Sequence, residues 1–449
     1  MKKNIFRIFG FLLTLTIILS LWDRVFRFKY PDGILDLTNF YELEDNCVDV
    51  LLLGSSHAFC DFNTGTLWDE YGMSSFMLGG PMQPMWNTYY YLKEALKTQT
   101  PKVIVLEGYS TTFTEEYLED SYTIKNTFGL SLSKEKLEAL AISSPYYRWD
   151  EFFLEYTQYH GRYTEINKSD FQKNLGDPYY KDWKGSIFLM QTVPMEASNI
   201  SYLTESKELA TKTEKYYRKV LELAQEKNIP IVVVISPYAS ISEDEQKSFN
   251  EASIIAKEYN VPFINCNTMN DIIGIDYSSD VADSKHLNYQ GSIILSRYLG
   301  NYLTENYAIP NHKGDPQYNT WELNSSMIKQ SRINYEVLQS TDFDILISKV
   351  KSQNYWLSVS LIGDIETNNP TVSSYLNQLG ITPSGDERTW IVKKNVLDNE
   401  AEDTFKSIIH LEETDKVSSG IEVTVFDPYT QSVVISFGLD ANSNYALVK

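Results

Sequence analysis

Three side chains of the types used in acyl transfer stand in two short segments, GSS at residues 54–56 and DSKH at residues 283–286. Acyl transfer needs a nucleophile on an exposed turn, a base within hydrogen-bond reach and a carboxylate that orients the base. An Asp three residues before a His lets both come from one turn, so that the carboxylate accepts the Nδ1 proton and Nε2 faces the serine. We therefore predict Ser56 as the nucleophile, His286 as the base and Asp283 as the orienting acid.

Other roles for these residues stay open at this point. Ser55 is a second candidate nucleophile, and His57 is either a second base or an oriented neighbour. The competing interpretation makes His286 a structural histidine and Asp283 a turn residue. Metal catalysis is the rival enzymatic interpretation, but the 5 histidines form no HExxH motif, so we predict no metal and no cofactor.

A parallel sheet is expected to position these residues. Predicted helices such as Asn63 to Tyr71 and Thr211 to Lys227 alternate with apolar runs, which is typical of an α/β fold with a doubly wound, flavodoxin-like parallel sheet. The predicted strands are Val48 to Leu53, Ser74 to Leu78, Val103 to Leu106, Pro230 to Ile235 and Val261 to Ile264. Ser56 follows the first strand and the DSKH segment follows the last. All three residues are therefore expected at the carboxyl edge of the sheet.

An aromatic, polar insertion interrupts the alternation at residues 111–209. A connection of this length between two core strands is usually a lid or a platform. Exposed rings suit sugar faces, lipids or partner surfaces, whereas packing inside a helical subdomain is the competing interpretation. The sequence leaves both open.

The residues quoted above resemble the SGNH/GDSL hydrolase superfamily, and within it the membrane-anchored envelope branch that includes the teichoic acid D-alanyl transfer protein. The resemblance covers roughly Val48 to Leu303. LGSSHA at residues 53–58 stands where the family has Gly-x-Ser, and DSKHLN at residues 283–288 stands where it has Asp-x-x-His. The resemblance implies an SGNH-like fold and serine esterase or acyltransferase chemistry.

The same resemblance implies an oxyanion hole. The family takes one donor from a glycine after the second strand, which corresponds to Gly80, and another from an asparagine after the third strand. Ser110 occupies the place of that asparagine. Because one such donor is worth ~10²-fold or more in rate, Ser110 implies slow turnover or a site that the substrate completes.

The amino-terminal segment is strongly apolar. Ile5 to Trp22 is interrupted only by Arg7 and is long enough to span a bilayer, and no small-x-small cleavage site follows it. We predict an uncleaved transmembrane anchor over residues 1–29, with the bulk of the single-pass chain outside the cell. A buried helix of a soluble protein is the alternative. The net charge of -21 excludes nucleic acid as a partner.

A second domain is predicted after a linker at residues 310–316. Residues 317–449 contain alternating segments typical of antiparallel strands, including Trp356 to Leu361, Gly420 to Asp427 and Ser432 to Phe437. This mainly-β region is weakly similar to interleukin-like EMT-inducer domains. We interpret it as an accessory module that binds glycan or steadies an assembly, with simple packing as the alternative.

The leading hypothesis is a membrane-anchored extracellular SGNH-type hydrolase or O-acyltransferase, with its main domain at residues 30–309. Because the anchor would hold the site near surface glycans, we predict a cell-envelope polysaccharide or a teichoic-type polymer as substrate, with acetyl as the first choice of acyl group and D-alanyl as the second. If transfer prevails over hydrolysis, the resemblance implies a membrane-bound O-acyltransferase as partner. The alternative is a non-catalytic glycan-binding or scaffold protein.

Overall fold

The computed structural model describes residues 2–166, 170, 183–383, 387–393, 405–406 and 416–449. The chain divides into two compact units, Met1–Ser325 and Ser326–Lys449. We describe each unit by itself.

The first unit is built on a sheet of five parallel strands in the order β2-β1-β3-β4-β5. This is the strand order of flavodoxin-like doubly wound folds, so the predicted α/β class is confirmed. The strands are β1 (Val50–Gly54), β2 (Ser75–Gly79), β3 (Val103–Glu107), β4 (Ile231–Ile235) and β5 (Phe263–Asn265).

Helices cover both faces of this sheet. Alternate residues of β1 enter different cores, since Leu51 and Leu53 pack on one face and Val50 and Leu52 on the other. Burial on both faces explains why the strands are continuous apolar runs rather than alternating ones. The helices that pack around the sheet or connect its strands are α2 (Asp36–Tyr41), α3 (Ser56–Asp61), α4 (Thr64–Tyr71), α5 (Met85–Ala95), α6 (Asp120–Thr127), α7 (Lys134–Ser143), α8 (Trp149–Phe153), α9 (Tyr156–Tyr159), α10 (Thr211–Glu226), α11 (Glu243–Glu258), α12 (Asn270–Ile273) and α13 (Tyr289–Asn306).

The predicted anchor falls in helix α1 (Lys2–Phe26). Across the part of the chain that the structure describes, no helix combines the length and the apolar character that a membrane crossing requires.

The insertion at residues 111–209 contains α6 to α9 and then a segment without regular structure from residue 186 to residue 210. Its rings divide between the core and the surface, because Phe152 and Trp183 are buried whereas Tyr146 and Tyr147 are 79% and 70% exposed. The role of the exposed rings stays a prediction. Tyr179 and Tyr180, also among the predicted aromatic residues, lie outside the described residues.

The boundary between the two units falls within helix α14 (Asn319–Leu338). The second unit contains an antiparallel sheet in the order β10-β9-β8-β6-β7. Its strands are β6 (Trp356–Ile362), β7 (Thr389–Val392), β8 (Gly420–Asp427), β9 (Ser432–Asp440) and β10 (Ala446–Val448). The antiparallel sheet is as predicted. The description as mainly β is incomplete, because α15 (Phe343–Ser352) and α16 (Pro370–Gln378) pack their apolar faces into the same core as the sheet.

Candidate active site

The predicted nucleophile lies where β1 ends and α3 begins. Gly54 closes the strand, Ser55 is the N-cap residue and Ser56 opens the helix. A Cβ on Gly54 would lie 2.8 Å from the Cβ atoms of both Ala58 and Glu107, so only glycine fits at this turn. Ser55 is buried while Ser56 is partly exposed. The structure therefore favours Ser56 over Ser55 as the side chain that a substrate can reach.

The structure brings Ser56, His286 and Asp283 into one hydrogen-bonded series. His286 Nε2 lies 2.9 Å from Ser56 Oγ, and His286 Nδ1 lies 3.1 Å from each carboxylate oxygen of Asp283. This is the contact pattern that a serine, its base and an orienting acid require. The three residues meet although Ser56 and His286 are 230 positions apart in the chain.

Asp283 is held in its ionised form. Burial raises its pKa, but the backbone N–H groups of Lys285 and His286 donate to Oδ1 at 2.7 and 3.0 Å, and the imidazole adds its charge and a hydrogen bond. The net result is a pKa below the ordinary value for Asp. An ionised carboxylate fixes the proton on His286 Nδ1 and stabilises the imidazolium that forms when the base accepts a proton.

A short hairpin carries Asp283 and His286. Val281 and Leu287 form an antiparallel bridge, and the Ala282 N–H donates to the His286 carbonyl oxygen at 3.0 Å. The hairpin leads into α13, whose N-cap Asn288 accepts from the N–H groups of the first turn. Backbone hydrogen bonds therefore hold both ends of the turn between Val281 and Leu287, which limits the positions that the His286 imidazole can take.

The extended segment of the insertion holds this hairpin from outside. Its backbone N–H at Val193 donates to the carbonyl oxygen of Val281 at 3.0 Å, and its backbone N–H at Met195 donates to the carbonyl oxygen of Tyr277 at 2.9 Å. The Asn288 side chain also donates to Thr192 Oγ1 at 3.0 Å. The insertion thus supports the catalytic edge of the sheet.

Two fully buried acids support the site, and sequence reasoning missed both. Asp61, at the end of α3, accepts the N–H of Leu287 at 2.9 Å, which joins the nucleophile's helix to the hairpin. Glu107, at the end of β3, accepts the N–H of Tyr109 at 3.0 Å. Burial is the main cause that raises the pKa of Asp61 well above its ordinary value and that of Glu107 to about 8. For Glu107 the signal in the sequence was an acid that directly ends an apolar strand, and Asp61 had no comparable signal.

His57 is an oriented neighbour rather than a second base. Its ring is buried, stacks on Tyr109 with centroids 3.9 Å apart, and meets the edge of Tyr238 at 4.9 Å and the ring of His286 at 5.1 Å. Burial, aided by the charges of His286 and Lys285, lowers its pKa well below the ordinary value, so the ring is neutral. Its Nδ1 lies 3.9 Å from Asp61 Oδ2, beyond hydrogen-bond range.

The two oxyanion candidates follow the strands on either side of β1. Gly80 comes directly after β2, and a Cβ there would lie 2.3 Å from Asn126 Oδ1. Ser110 lies in the turn Tyr109–Thr112 after β3, and its buried Oγ has no hydrogen-bond partner among the described residues. Both positions are compatible with the predicted role. Their assignment as oxyanion donors stays a prediction.

The described residues contain no group of three or more His, Cys, Asp or Glu side chains suited to a metal ion. Cys47, Cys60 and Cys266 are buried free thiols.

Comparison of the sequence with protein families found no match, and comparison with curated proteins found none either. Among solved structures, the chain is similar to a candidate acylhydrolase from Bacteroides fragilis, with 8% identity, a TM-score of 0.30, and coverage of 60% of this chain and 94% of that one. It is also similar to a candidate GDSL-like lipase from Parabacteroides merdae, with 12% identity, a TM-score of 0.26, and coverage of 64% of this chain and 98% of that one.

Proposed function

We propose that this protein is a serine acyl hydrolase or O-acyltransferase of the SGNH type, with Ser56, His286 and Asp283 as its catalytic residues. The observation that carries the proposal is the pair of contacts on the His286 ring, 2.9 Å from Nε2 to Ser56 Oγ and 3.1 Å from Nδ1 to Asp283. Because one ring nitrogen faces an ionised acid and the other faces a partly exposed hydroxyl, the imidazole is prepared to accept the serine proton.

The reaction then proceeds in two halves. Ser56 Oγ attacks the carbonyl carbon of an ester while His286 Nε2 accepts its proton, and the same proton passes to the leaving alcohol as the ester bond breaks. Water or a sugar hydroxyl next attacks the acyl-serine and gives its proton to Nε2. Ser56 leaves and regains that proton, so hydrolysis and transfer differ only in the acceptor.

Negative charge on the acyl oxygen needs donors at the same edge of the sheet. Gly80 N–H and the side chain of Ser110 are our candidates, together with the N–H of Ser56. A hydroxyl that rotates freely is a weaker donor than a fixed amide, so we expect turnover to be slow without the natural substrate.

We further propose that the substrate is a cell-envelope polysaccharide or teichoic-type polymer, and that a membrane-bound O-acyltransferase supplies the acyl group, acetyl or D-alanyl, when transfer prevails. The support is the resemblance of the two motifs to the envelope branch of the superfamily. Acyl groups released by mild alkali from cell walls with and without the gene test this, and equal amounts in both would refute it.

The proposed location is the cell membrane, with residues 1–29 as the point of attachment and the rest of the chain outside the cell. In its support, Phe9, Phe11 and Leu19 of α1 are 64%, 66% and 58% exposed, and water disfavours such a surface. Cell fractionation tests attachment and added protease tests exposure. Full-length protein found in the soluble fraction would refute the proposal.

A fluorophosphonate probe tests catalysis directly. We expect labelling of the wild-type chain, loss of labelling in Ser56→Ala and His286→Ala, and retention in Ser284→Ala, which removes a hydroxyl from the same hairpin without touching the three residues. Absence of labelling in the wild type, with normal cellular function of Ser56→Ala, would favour a glycan-binding scaffold instead.

A further inference from the structure

A polar cavity of about 180 Å³ lies next to the candidate active site. Its walls come from the extended segment of the insertion at residues 197–201 and from residues that follow β4 and β5. It is smaller than the ~300–1,000 Å³ pockets that hold drug-sized ligands, so it suits a single ring-sized group.

One wall of the cavity is Tyr238, which also belongs to the cluster of rings around the His286 imidazole. Tyr238 lines the cavity, and the edge of its ring meets His57, whose ring in turn meets that of His286. Two ring contacts of 4.9 and 5.1 Å therefore separate the cavity wall from the base. A group bound in the cavity is therefore separated from the base by the rings of Tyr238 and His57, and it does not occupy the place of the reacting ester.

Hydrogen bonds fix most of this wall before any ligand binds. Asn267 accepts the N–H of Tyr238 at 3.0 Å and donates to the Ser236 carbonyl oxygen at 3.1 Å. The N–H of Ser198 donates to the carbonyl oxygen of Ala239 at 2.9 Å. Preformed walls reduce the entropy that binding must overcome.

The chemistry of the lining identifies the class of ligand. The residues that line the cavity include two tyrosines and carry amide, hydroxyl and carboxylate groups, among them Ser198, Asn199, Tyr238, Asn270, Asp271 and Tyr277. Asn270 Oδ1 is buried and has no hydrogen-bond partner among the described residues, so this cavity residue carries an unsatisfied acceptor. Such a lining suits a ring with several hydroxyls and one apolar face.

The charge of the cavity lining favours a neutral sugar over a phosphate group as the ligand. The lining includes the carboxylate of Asp271, while neither Lys nor Arg is among the described residues that form it. Lys285, which lies over the Tyr238 ring, is already paired with Glu245 at 2.8 Å. Phosphodiesters need cationic or N–H-rich sites, so this lining disfavours them.

We infer that this cavity binds one neutral sugar unit of the polymer, next to the unit that carries or receives the acyl group. This inference rests on the proposed acyl hydrolase or acyltransferase function. It deepens that function by selecting a neutral glycan over a phosphate-containing teichoic-type chain.

Binding by the full-length Ser56→Ala chain tests the inference without relying on catalysis. The probes are cellotetraose, chitotetraose and mannotetraose, with poly(glycerol phosphate) as the anionic competitor, measured by saturation-transfer NMR. We expect at least one tetrasaccharide to bind and Asn270→Ala or Asp271→Asn to weaken it about 3- to 10-fold, the value of one hydrogen bond. Asn306→Ala, an exposed amide at the far end of α13, is the control and should bind as before.

Two outcomes overturn the inference. One is that none of the three tetrasaccharides binds, and the other is that poly(glycerol phosphate) binds and loses affinity in Asn270→Ala. Fluorophosphonate labelling of the wild type is scored separately. A chain that is labelled but binds no sugar refutes the cavity assignment alone, and a chain that binds sugar but is not labelled refutes the catalytic proposal alone.

Discussion

We predict that Glu107 makes the stability of the first unit depend on pH and that substituting it with Gln reduces this dependence. The carboxyl group is fully buried at the end of β3, and burial raises its pKa from 4.5 to about 8 in the folded chain. Between these values the folded chain holds a proton that the unfolded chain releases. Its contribution to stability is therefore complete below about pH 4.5 and is lost as the pH rises through 8.

The size of the effect follows from the linkage between protons and folding. One proton bound only by the folded state lowers the free energy of unfolding by about 1.4 kcal/mol for each pH unit over this range. Glu107→Gln keeps a similar shape and an oxygen for the Tyr109 N–H, but it does not titrate. We expect its free energy of unfolding to fall less steeply than that of the wild type between pH 5 and pH 8.

Urea denaturation of the full-length chain at pH 5, 6, 7 and 8, followed by tryptophan fluorescence at constant ionic strength, measures both slopes. Asp61 titrates in both chains, and because the charge of Glu107 also helps to raise the pKa of Asp61, the difference between slopes reports Glu107 together with this coupling. Glu245→Gln is the matched control: the pKa of Glu245 is lowered, hence its carboxylate is ionised in both states over this range and the slope should not change. Parallel curves for the wild type and Glu107→Gln would refute the reasoning.

Three further predictions concern the site itself. Asp283→Asn should reduce kcat/KM for p-nitrophenyl acetate roughly 10³- to 10⁴-fold, because an amide N–H facing Nδ1 favours the tautomer that cannot accept the Ser56 proton; activity near the wild-type level would contradict this. Asp61→Leu should lower the free energy of unfolding by about 1–3 kcal/mol more than Asp61→Asn, since leucine leaves the Leu287 N–H buried without an acceptor, and urea curves that coincide would argue against that role. Gly54→Ala should lower the melting temperature and reduce fluorophosphonate labelling, because the new Cβ lies 2.8 Å from two others, whereas Gly161→Ala, which meets nothing within 4 Å, should leave both unchanged.

The central sheet could be predicted from the sequence because its strands are buried on both faces. Every residue from Val50 to Gly54 is buried, and so is every residue of β4. Both strands are therefore continuous apolar runs in the sequence, and more polar helical segments separate these runs. Predicted and observed strand ends differ by no more than two residues. The motif residues at the ends of those strands converge because parallel strands present their carboxyl ends at one edge.

Helices α15 and α16 of the second unit were not predicted from the sequence. α15 and α16 begin with recognisable signals, since Asp342 caps the first and Asn369 with Pro370 opens the second. Both helices are short and lie among the alternating apolar segments of the sheet with which they share a core, so their own apolar spacing is not distinctive in the sequence. The roles of Asp61 and Glu107 could not be predicted, because a single sequence does not show whether an acid is buried.

The separation of Ser56 from His286 also has a consequence for synthesis. The serine leaves the ribosome 230 residues before its base, a delay of roughly 10 to 50 s at ordinary elongation rates. Under the proposed function, Ser56 has no catalytic base during that interval, and a chain that terminates before residue 286 never acquires one. Translation through the hairpin that carries His286 is then a condition for reactivity at Ser56.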